Sequence, residues 1–195
     1  MLTDKLKSFH IILASGSPRR QQFFKELGID FEIRLKEIEE VFPIELKAAE
    51  ITNYLAELKA SAFENQLQPN DILITSDTIV WHQGQCLGKP KDDADAFQML
   101  QSLSDATHEV ITSVCFKTVA KTETFFAITK VTFQTLSNQE IRYYLDHYKP
   151  FDKAGSYAIQ EWIGAIGISK IEGSYTNVVG MPMHLVYEKL KTFIV

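Results

Sequence analysis

The sequence of 195 residues has few cysteines, no excess of positive charge and no long apolar run. Its two cysteines, Cys86 and Cys115, cannot form a disulfide framework, and such a low count is typical of a reducing compartment. No apolar run approaches the roughly 20 residues that a membrane-spanning helix needs. The first ten residues lack the apolar core of a signal peptide. We therefore expect a cytoplasmic protein that does not associate with a membrane.

The net charge and the composition exclude further classes of protein. The formal net charge is −5, so the chain lacks the basic excess that nucleic-acid binding requires, and we expect no nucleic-acid partner. Hydrophobic residues make up 45% of the chain and charged residues 23%, the balance of a globular protein with a real core. We expect a single domain over residues 1–195, large enough to form two lobes that share a core.

Apolar periodicity and turn residues predict strands and helices in mixed order, without a regular β–α–β alternation. This order favours an α/β fold with a mixed sheet over a doubly wound Rossmann sheet. The predicted strands are 9–14, 31–35, 72–74 continuing through 78–81, a hairpin of 109–119 and 122–135, and 158–171. The predicted helices are 21–27, 44–62, 92–103, 137–147 and 182–193.

The first chemical motif joins a predicted strand to a helix through a loop of small residues. It reads Ser15-Gly-Ser-Pro-Arg-Arg20, with Ser17 at the N-cap position and Pro18 in the first turn. The free N–H groups of a helix N-terminus, two hydroxyls and the guanidinium groups of Arg19 and Arg20 suit a phosphate group. The alternative is an ordinary capped helix with two solvated arginines. The P-loop pattern is missing.

The second motif is Thr75-Ser-Asp-Thr78, which directly follows a buried strand. A carboxylate at a strand end can act as a general base or bind a metal ion, which makes Asp77 a candidate for either role. The alternative is that Asp77 only stabilises a turn. Lys89 lies between Gly88 and Pro90 and offers a cation on a loop, unless it is an ordinary surface lysine.

The third motif is a polar, glycine-containing loop over residues 151–160, a composition typical of binding loops. It ends at Gln160, which would place an amide inside a pocket or else pair with a neighbouring strand. The five histidines show no paired spacing for zinc. Acidic residues at 37, 39 and 40 form either a solvated edge or part of a Mg²⁺ site.

Together and in this order, the motifs resemble the Maf family of nucleoside triphosphate pyrophosphatases. The resemblance extends from residue 13 to residue 182 with no large insertion. The matching runs are Leu13-Ala-Ser-Gly-Ser-Pro-Arg-Arg20, Ile38-Glu-Glu40, Ser76-Asp-Thr-Ile-Val80, Gly88-Lys-Pro90, Leu103-Ser104 with His108, Asp152-Lys-Ala-Gly155, Ile159-Gln160 and Val179-Gly-Met-Pro182.

The resemblance implies an elongated mixed β-sheet with flanking helices and two lobes around a central cleft, similar to the inosine triphosphate pyrophosphatases. It also implies a homodimer and a divalent metal cofactor, Mg²⁺ or Mn²⁺. The implied activity is hydrolysis of a nucleoside triphosphate to the monophosphate and pyrophosphate. The alternatives are a nucleotide-binding regulator of cell division without turnover, or the same chemistry on purine triphosphates.

Roles carried over by resemblance complete the predicted site. Asp77 is the expected proton acceptor and a metal ligand together with Glu39. The residues associated with substrate choice are Arg19, Thr78 and Gln160, and those expected to bind phosphate are Ser15, Ser17, Arg20, Lys59 and Lys89.

The residue context at 77–78 and 159–160 resembles the branch of the family that acts on dTTP and UTP. Two positions depart from the common family pattern. Thr75-Ser76 stands where Gly-Ala is common, which adds a hydroxyl behind Asp77. Glu161 stands where Gly is common, which adds a negative charge beside Gln160.

Overall fold

The computed structural model describes residues 1–194 and contains a seven-stranded mixed sheet flanked by helices. The strand order is β2-β1-β3-β5-β6-β7, and β4 pairs with β3 outside this path. The strands are β1 His10–Leu13, β2 Glu32–Ile33, β3 Asp71–His82, β4 Gln85–Leu87, β5 Thr107–Lys117, β6 Thr122–Phe133 and β7 Ile168–Glu172. The helices are α1 Leu2–Leu6, α2 Pro18–Glu26, α3 Ala49–Ser61, α4 Asp93–Leu103, α5 Asn138–Tyr148, α6 Trp162–Gly167, α7 Tyr175–Val179 and α8 Met183–Phe193, with a 3₁₀ turn at Ala154–Ser156.

The chain divides into two compact units. The first contains residues 1–77, 112–127 and 180–195, and the second contains residues 78–111 and 128–179. The chain passes from one unit to the other within β3, β5 and β6. The predicted mixed sheet with flanking helices is confirmed, whereas the single domain and the central cleft stay predictions.

In the first unit, β1 pairs in parallel with both β2 and β3. Successive side chains of a strand point to opposite faces, and β1 is apolar on both. Ile11 and Leu13 belong to a core that includes Phe24 of α2, whereas Ile12 packs in a separate cluster with Ala56 of α3. Burial on both faces explains why the predicted strand reads as a continuous apolar run.

The second unit has its own core, formed by residues of β3, β5 and β6 with α4, α5 and α6. Two antiparallel pairings, β3 with β4 and β6 with β7, lie in this unit. The 3₁₀ turn is fixed against β3, because a Cβ on Gly155 would lie 2.7 Å from a methyl group of Val80. Gly155 also has a φ of 66°, which favours glycine.

Three helix starts agree with their sequence signals. Ser17 caps α2 and accepts a hydrogen bond from the N–H of Arg20, and Asp92 caps α4 in the same way. Ser137 and Glu140 form a capping box at the start of α5. These signals are local, so the sequence alone is sufficient to locate them.

Several predicted boundaries are wrong. The helix predicted over 44–62 begins only at Ala49, because Ala48 has a φ of 48° and Ile44 is 95% exposed. The strand predicted over 158–171 is a turn followed by α6, and only its end is extended, as β7. The segment after β7 contains the short helix α7, which is not among the helices predicted from the sequence.

Among residues 1–194, no helix is long and apolar enough to cross a membrane. Both cysteines are free thiols, and Cys115 is buried in the sheet. Burial raises the pKa of the Cys115 thiol, so it packs as a small apolar group.

Candidate active site

The loop between β1 and α2 is held by its own hydroxyl and amide groups. The backbone N–H of Ser17 donates to Oγ of Ser15 over 3.3 Å, and the side-chain amide of Gln21 donates to the carbonyl of Ser15 over 3.1 Å. The loop therefore presents a fixed helix N-terminus, with Pro18 in its first turn. Such a terminus carries unpaired N–H groups and a partial positive charge that attract anions.

Arg20 fastens this loop to the rest of the first unit. Its Nε donates to the carbonyl of Gly180 over 2.8 Å, and one terminal nitrogen donates to the carbonyl of Ser76 over 2.9 Å. Burial lowers the pKa of Arg20, while the negative charge of Asp77 acts in the opposite direction. These donors bind backbone oxygens, so Arg20 positions the loop next to the strand residue that precedes Asp77. Its role in phosphate binding stays a prediction.

The ion pair between Lys59 and Asp77 is the main charged contact in this unit. Nζ of Lys59 lies 2.6 Å from Oδ1 of Asp77 and 3.1 Å from Oε1 of Glu40. Asp77 is only 6% exposed, so its carboxylate is largely removed from water. A buried carboxylate needs such a partner, because an unpaired charge in the interior is costly.

A hydrogen bond of Thr75 connects β3 to α3, the two elements that carry Asp77 and Lys59. The Thr75 hydroxyl is fully buried and donates to the carbonyl of Ala56 over 2.6 Å. Lys59 lies three residues after Ala56 on the same helix. The hydrogen bond thereby fixes the helix that carries Lys59 against the strand that carries Asp77. The sequence alone indicates only that a hydroxyl lies behind Asp77, and not what this hydroxyl binds.

Glu39 and Glu40 occupy different surroundings in the loop before α3. Both are exposed, but only Glu40 forms an ion pair with Lys59. The backbone carbonyl of Glu39 accepts a hydrogen bond from the N–H of Val41. The metal role of Glu39 stays a prediction, and Glu40, from the same acidic group, is the carboxylate that lies near Asp77 through their shared contact with Lys59.

The carboxylates of the first unit fit a metal ion only in part. Within the described 194 residues, no group of three or more His, Cys, Asp or Glu side chains is arranged to hold an ion. Asp77 and Glu40 share a cation, the ammonium of Lys59. Mg²⁺ is commonly held by one or two carboxylates together with substrate phosphates, and this pair fits that arrangement.

Three predicted site residues belong to the second unit: Thr78, Lys89 and Gln160. Thr78 follows Asp77 in β3 and is half-buried. Lys89 is exposed on a loop after β4, and this loop is held where the carbonyl of Gly88 accepts from the N–H of Gly155. Arg19, in the first unit, is half-buried in the first turn of α2.

Gln160 lies on a turn before α6, not on the predicted strand. Its side chain is exposed and makes no hydrogen bond with any residue in the part of the chain that the structure describes. The alternative in which Gln160 pairs with a neighbouring strand is therefore wrong for residues 1–194. Its amide is available to a ligand.

A buried cluster of aromatic and imidazole rings lies in the second unit. Nε2 of His108 lies 2.7 Å from the hydroxyl of Tyr157, and the ring of His82 meets His108 edge to face. Burial, and to a smaller extent His82, lowers the pKa of His108 to about 3. His108 is therefore neutral at physiological pH and contributes to the core.

The first unit thus contains a buried carboxylate paired with a lysine and a helix N-terminus that carries two arginines. The family model described as Maf-like protein matches residues 10–193. The chain belongs to the Maf family.

Three relatives named dTTP/UTP pyrophosphatase match over nearly their whole lengths. The Flavobacterium johnsoniae protein is 63% identical over all of both chains, and the Flavobacterium psychrophilum protein is 67% identical over 96% of each. The Phocaeicola vulgatus protein is 51% identical and covers 97% of this chain and 99% of its own. A solved structure of the Staphylococcus aureus Ham1 protein matches 64% of this chain and 71% of its own, at 16% identity and a TM-score of 0.48.

Proposed function

We propose that this chain hydrolyses dTTP and UTP between the α and β phosphates, giving the nucleoside monophosphate and pyrophosphate. The choice of substrate is supported by relatives of that name that are 63% and 67% identical to the chain. The observation that carries the chemistry is the buried Asp77 carboxylate, held by Lys59 in the unit that also contains the Ser15–Arg20 loop.

Positive charge binds the triphosphate. Lys59, Arg19 and the N–H groups at the start of α2 supply it in the first unit, with Ser15 and Ser17 as hydroxyl donors. Lys89 contributes a further cation. A triphosphate carries more negative charge than Asp77 and competes with it for the ammonium of Lys59. Substrate binding thereby weakens the ion pair, so the Asp77 carboxylate can accept a hydrogen bond from the attacking water.

Asp77 activates the water that attacks the α-phosphorus. The water oxygen forms a bond to phosphorus while the bond from phosphorus to the α–β bridging oxygen breaks. The electron pair of the broken bond leaves with pyrophosphate, and Asp77 accepts the proton of the water. General-base help of this kind is worth roughly 10²–10⁴-fold in rate. The cations around the triphosphate stabilise the charge that develops on the leaving group.

The residues that would hold a divalent ion are Asp77 and either Glu39 or its neighbour Glu40. Mg²⁺ or Mn²⁺ bound there would supply additional positive charge to the phosphate oxygens and polarise the α-phosphorus. Each of the two carboxylates would contribute an oxygen donor.

The base is selected by Gln160, with Thr78 and Arg19 as the other residues associated with substrate choice. A carboxamide offers a donor and an acceptor side by side, matching the adjacent carbonyl and N–H of uracil and thymine. Cytosine reverses the order of donor and acceptor, so an amide held in the orientation that suits uracil leaves one of these groups unpaired. An unsatisfied buried polar group costs about 1–3 kcal/mol, which corresponds to roughly tenfold or greater discrimination.

A panel of triphosphates tests the proposal. Purified protein with Mg²⁺ is given dTTP, UTP, dCTP, CTP, GTP or ATP, and pyrophosphate and the nucleotide product are measured separately. We expect pyrophosphate and a monophosphate, fastest with dTTP and UTP. Release of phosphate and a diphosphate would contradict the cleavage position, and preference for GTP or ATP would support purine substrates instead.

The same panel tests the rival from another class, a nucleotide-binding regulator of cell division without turnover. Tight binding of dTTP without any pyrophosphate release would favour the regulator. A protein that only binds nucleotide does not require a base, a metal-binding carboxylate and two phosphate-binding lysines together. The homodimer and the cytoplasmic location stay predictions, the first of which sedimentation of the purified protein can test.

A further inference from the structure

The carboxylate of Glu161 is bound by two side chains of the second unit. It accepts a hydrogen bond from the hydroxyl of Tyr144, and its Oε1 lies 3.5 Å from Nζ of Lys153. Tyr144 is fully buried in α5, and the side chain of Lys153 is only 10% exposed. Burial, followed by the bond to Glu161, raises the pKa of Tyr144, so its hydroxyl keeps its proton and donates. Glu161 is therefore held in place, unlike an ordinary surface glutamate.

The same tyrosine hydroxyl also holds the start of the turn that ends at Glu161. It accepts a hydrogen bond from the backbone N–H of Ala158 over 3.2 Å. The backbone N–H of Glu161 donates to the carbonyl of Ala158 over 3.0 Å and closes the turn. One hydroxyl thus connects both ends of a four-residue turn, and Gln160 is its third residue.

The helix that follows the turn packs against the turn backbone. The N–H of Gly164 donates to the carbonyl of Glu161 over 3.0 Å. A Cβ on Gly164 would lie 1.9 Å from the carbonyl oxygen of Ile159, so only glycine fits this contact. The backbone on either side of Gln160 is fixed, while the Gln160 side chain is exposed and free of hydrogen bonds among the described residues.

We infer that Glu161 is a positioning residue, which through Tyr144 and Lys153 fixes the turn that presents the Gln160 amide and so sets the preference for uracil and thymine over cytosine. This inference rests on the proposed function. Hydrogen bonds weaken steeply with distance and angle, so discrimination between bases requires an amide held in one orientation. An amide on a loose turn can reorient to suit cytosine as well, and the preference falls while hydrolysis continues.

The ammonium of Lys153 also explains how a negative charge is tolerated beside a base-reading amide. Glu161 and Lys153 form a partly buried pair, with side-chain exposures of 22% and 10%. Nζ of Lys153 also lies 2.7 Å from Oδ1 of Asp152, so one ammonium is shared by two carboxylates. The charge of Glu161 is therefore reduced in part, and Glu161 repels an anionic substrate less than an isolated carboxylate would.

The test compares substitutions on both sides of the hydrogen bond. Glu161→Ala removes the carboxylate, Tyr144→Phe removes the hydroxyl, and Glu161→Gln keeps an acceptor for the hydroxyl. The matched control is Glu172→Ala in β7, which breaks an exposed ion pair with Lys170 in the same unit. For each protein, kcat and KM are measured separately for UTP and CTP, and the thermal midpoint is recorded.

We expect the ratio of kcat/KM for UTP over CTP to fall about five- to tenfold in Glu161→Ala and in Tyr144→Phe, most of the discrimination that one unpaired group provides. In Glu161→Ala, kcat for UTP should change less than twofold. Glu161→Gln should restore at least half of the ratio, and Glu172→Ala should keep all of it. Glu161→Ala and Tyr144→Phe remove the same hydrogen bond. The double variant should therefore lose no more of the UTP preference than either single variant.

The outcomes separate the inference from the proposed function. Wild-type protein that releases no pyrophosphate from any triphosphate would overturn the proposed function. If the wild-type protein is active and prefers UTP, and both Glu161→Ala and Tyr144→Phe keep that preference, only the inference is overturned. A lower thermal midpoint with an unchanged ratio would show that Glu161 serves stability alone. If Glu161→Ala does not fold, the ratios of Glu161→Gln and Tyr144→Phe decide.

Discussion

Nζ of Lys59 lies 2.6 Å from Oδ1 of Asp77, and the same ammonium contacts Glu40 at 3.1 Å. Asp77 is 6% exposed, so before substrate binds the negative charge of this largely buried carboxylate is compensated by one cation. Removing one member of such a pair leaves an uncompensated charge. Lys59 therefore has two functions in our account, since it stabilises the empty site and binds the triphosphate when substrate arrives.

Thr75→Val should lower both stability and activity. Valine has the same shape but cannot donate to the carbonyl of Ala56, which the hydroxyl contacts over 2.6 Å. The expected loss in free energy of unfolding is about 1–3 kcal/mol, measured by urea denaturation. kcat should fall as well, because α3 carries Lys59. Thr75→Ser keeps the hydroxyl and is the control; equal losses in both variants would contradict the role of the hydrogen bond.

Arg19→Ala and Lys89→Ala should each raise KM for dTTP more than they lower kcat. Both residues are assigned to the triphosphate, and neither is assigned to the proton transfer. The loss should be larger at low Mg²⁺, where less of the phosphate charge is neutralised otherwise. Steady-state kinetics at several Mg²⁺ concentrations measure this. Unchanged kinetics for both variants would show that these cations are ordinary surface residues.

Gln160→Glu should erode the preference for UTP over CTP. A carboxylate loses the donor of the amide and adds a charge next to Glu161. We expect the ratio of kcat/KM values to fall roughly tenfold, the discrimination that one unpaired polar group provides. The side chain is exposed and free of hydrogen bonds within residues 1–194, so the thermal midpoint should hardly change. An unchanged ratio would exclude a base-reading role.

Stability should decrease as pH falls from about 6.5 to about 3. Burial lowers the pKa of His108 to about 3 in the folded state, whereas an unfolded histidine titrates near its ordinary value of about 6.5. Between these values the unfolded state binds one more proton, so acid favours unfolding, by at most about 1.4 kcal/mol per pH unit for this group.

Urea denaturation at several pH values measures this dependence. His108→Gln keeps a polar partner for Tyr157 but does not titrate, so its curve should be shallower over the same range. The slope is the readout, so a lower overall stability of the variant does not affect the result. Parallel curves for the two proteins would contradict the contribution of His108.

The parts of the fold that the sequence predicted well are those specified by neighbouring residues. Ser17 with Pro18, Asp92, and Ser137 with Glu140 satisfy backbone groups one turn away, so their signals are complete within four residues. The helix predicted over 44–62 starts too early because Ile44 continues the apolar spacing of α3 but packs against no core; it is 95% exposed. Apolar periodicity does not show whether a residue is buried.

The predicted strand over 158–171 failed for a related reason. The isoleucines there suit an extended chain, but the turn is held by Tyr144 and α6 packs closely through Gly164. Those contacts come from residues outside the turn. For the same reason, the spacing of Lys59 and Asp77 could not predict their ion pair. The position of Asp77 after a buried strand had indicated a functional role, whereas only the family resemblance indicated Lys59.

Pyrophosphate release from UTP by wild-type protein and by Asp77→Asn, side by side with Mg²⁺, tests the central claim most directly. Asparagine keeps the size and one oxygen of the side chain but cannot take up the proton, so folding should persist, as judged by circular dichroism. The wild type should release pyrophosphate and UMP in equal amounts, and kcat of Asp77→Asn should be roughly 10²–10⁴-fold lower. Near-wild-type turnover by the folded variant would contradict the assignment of Asp77 as the base.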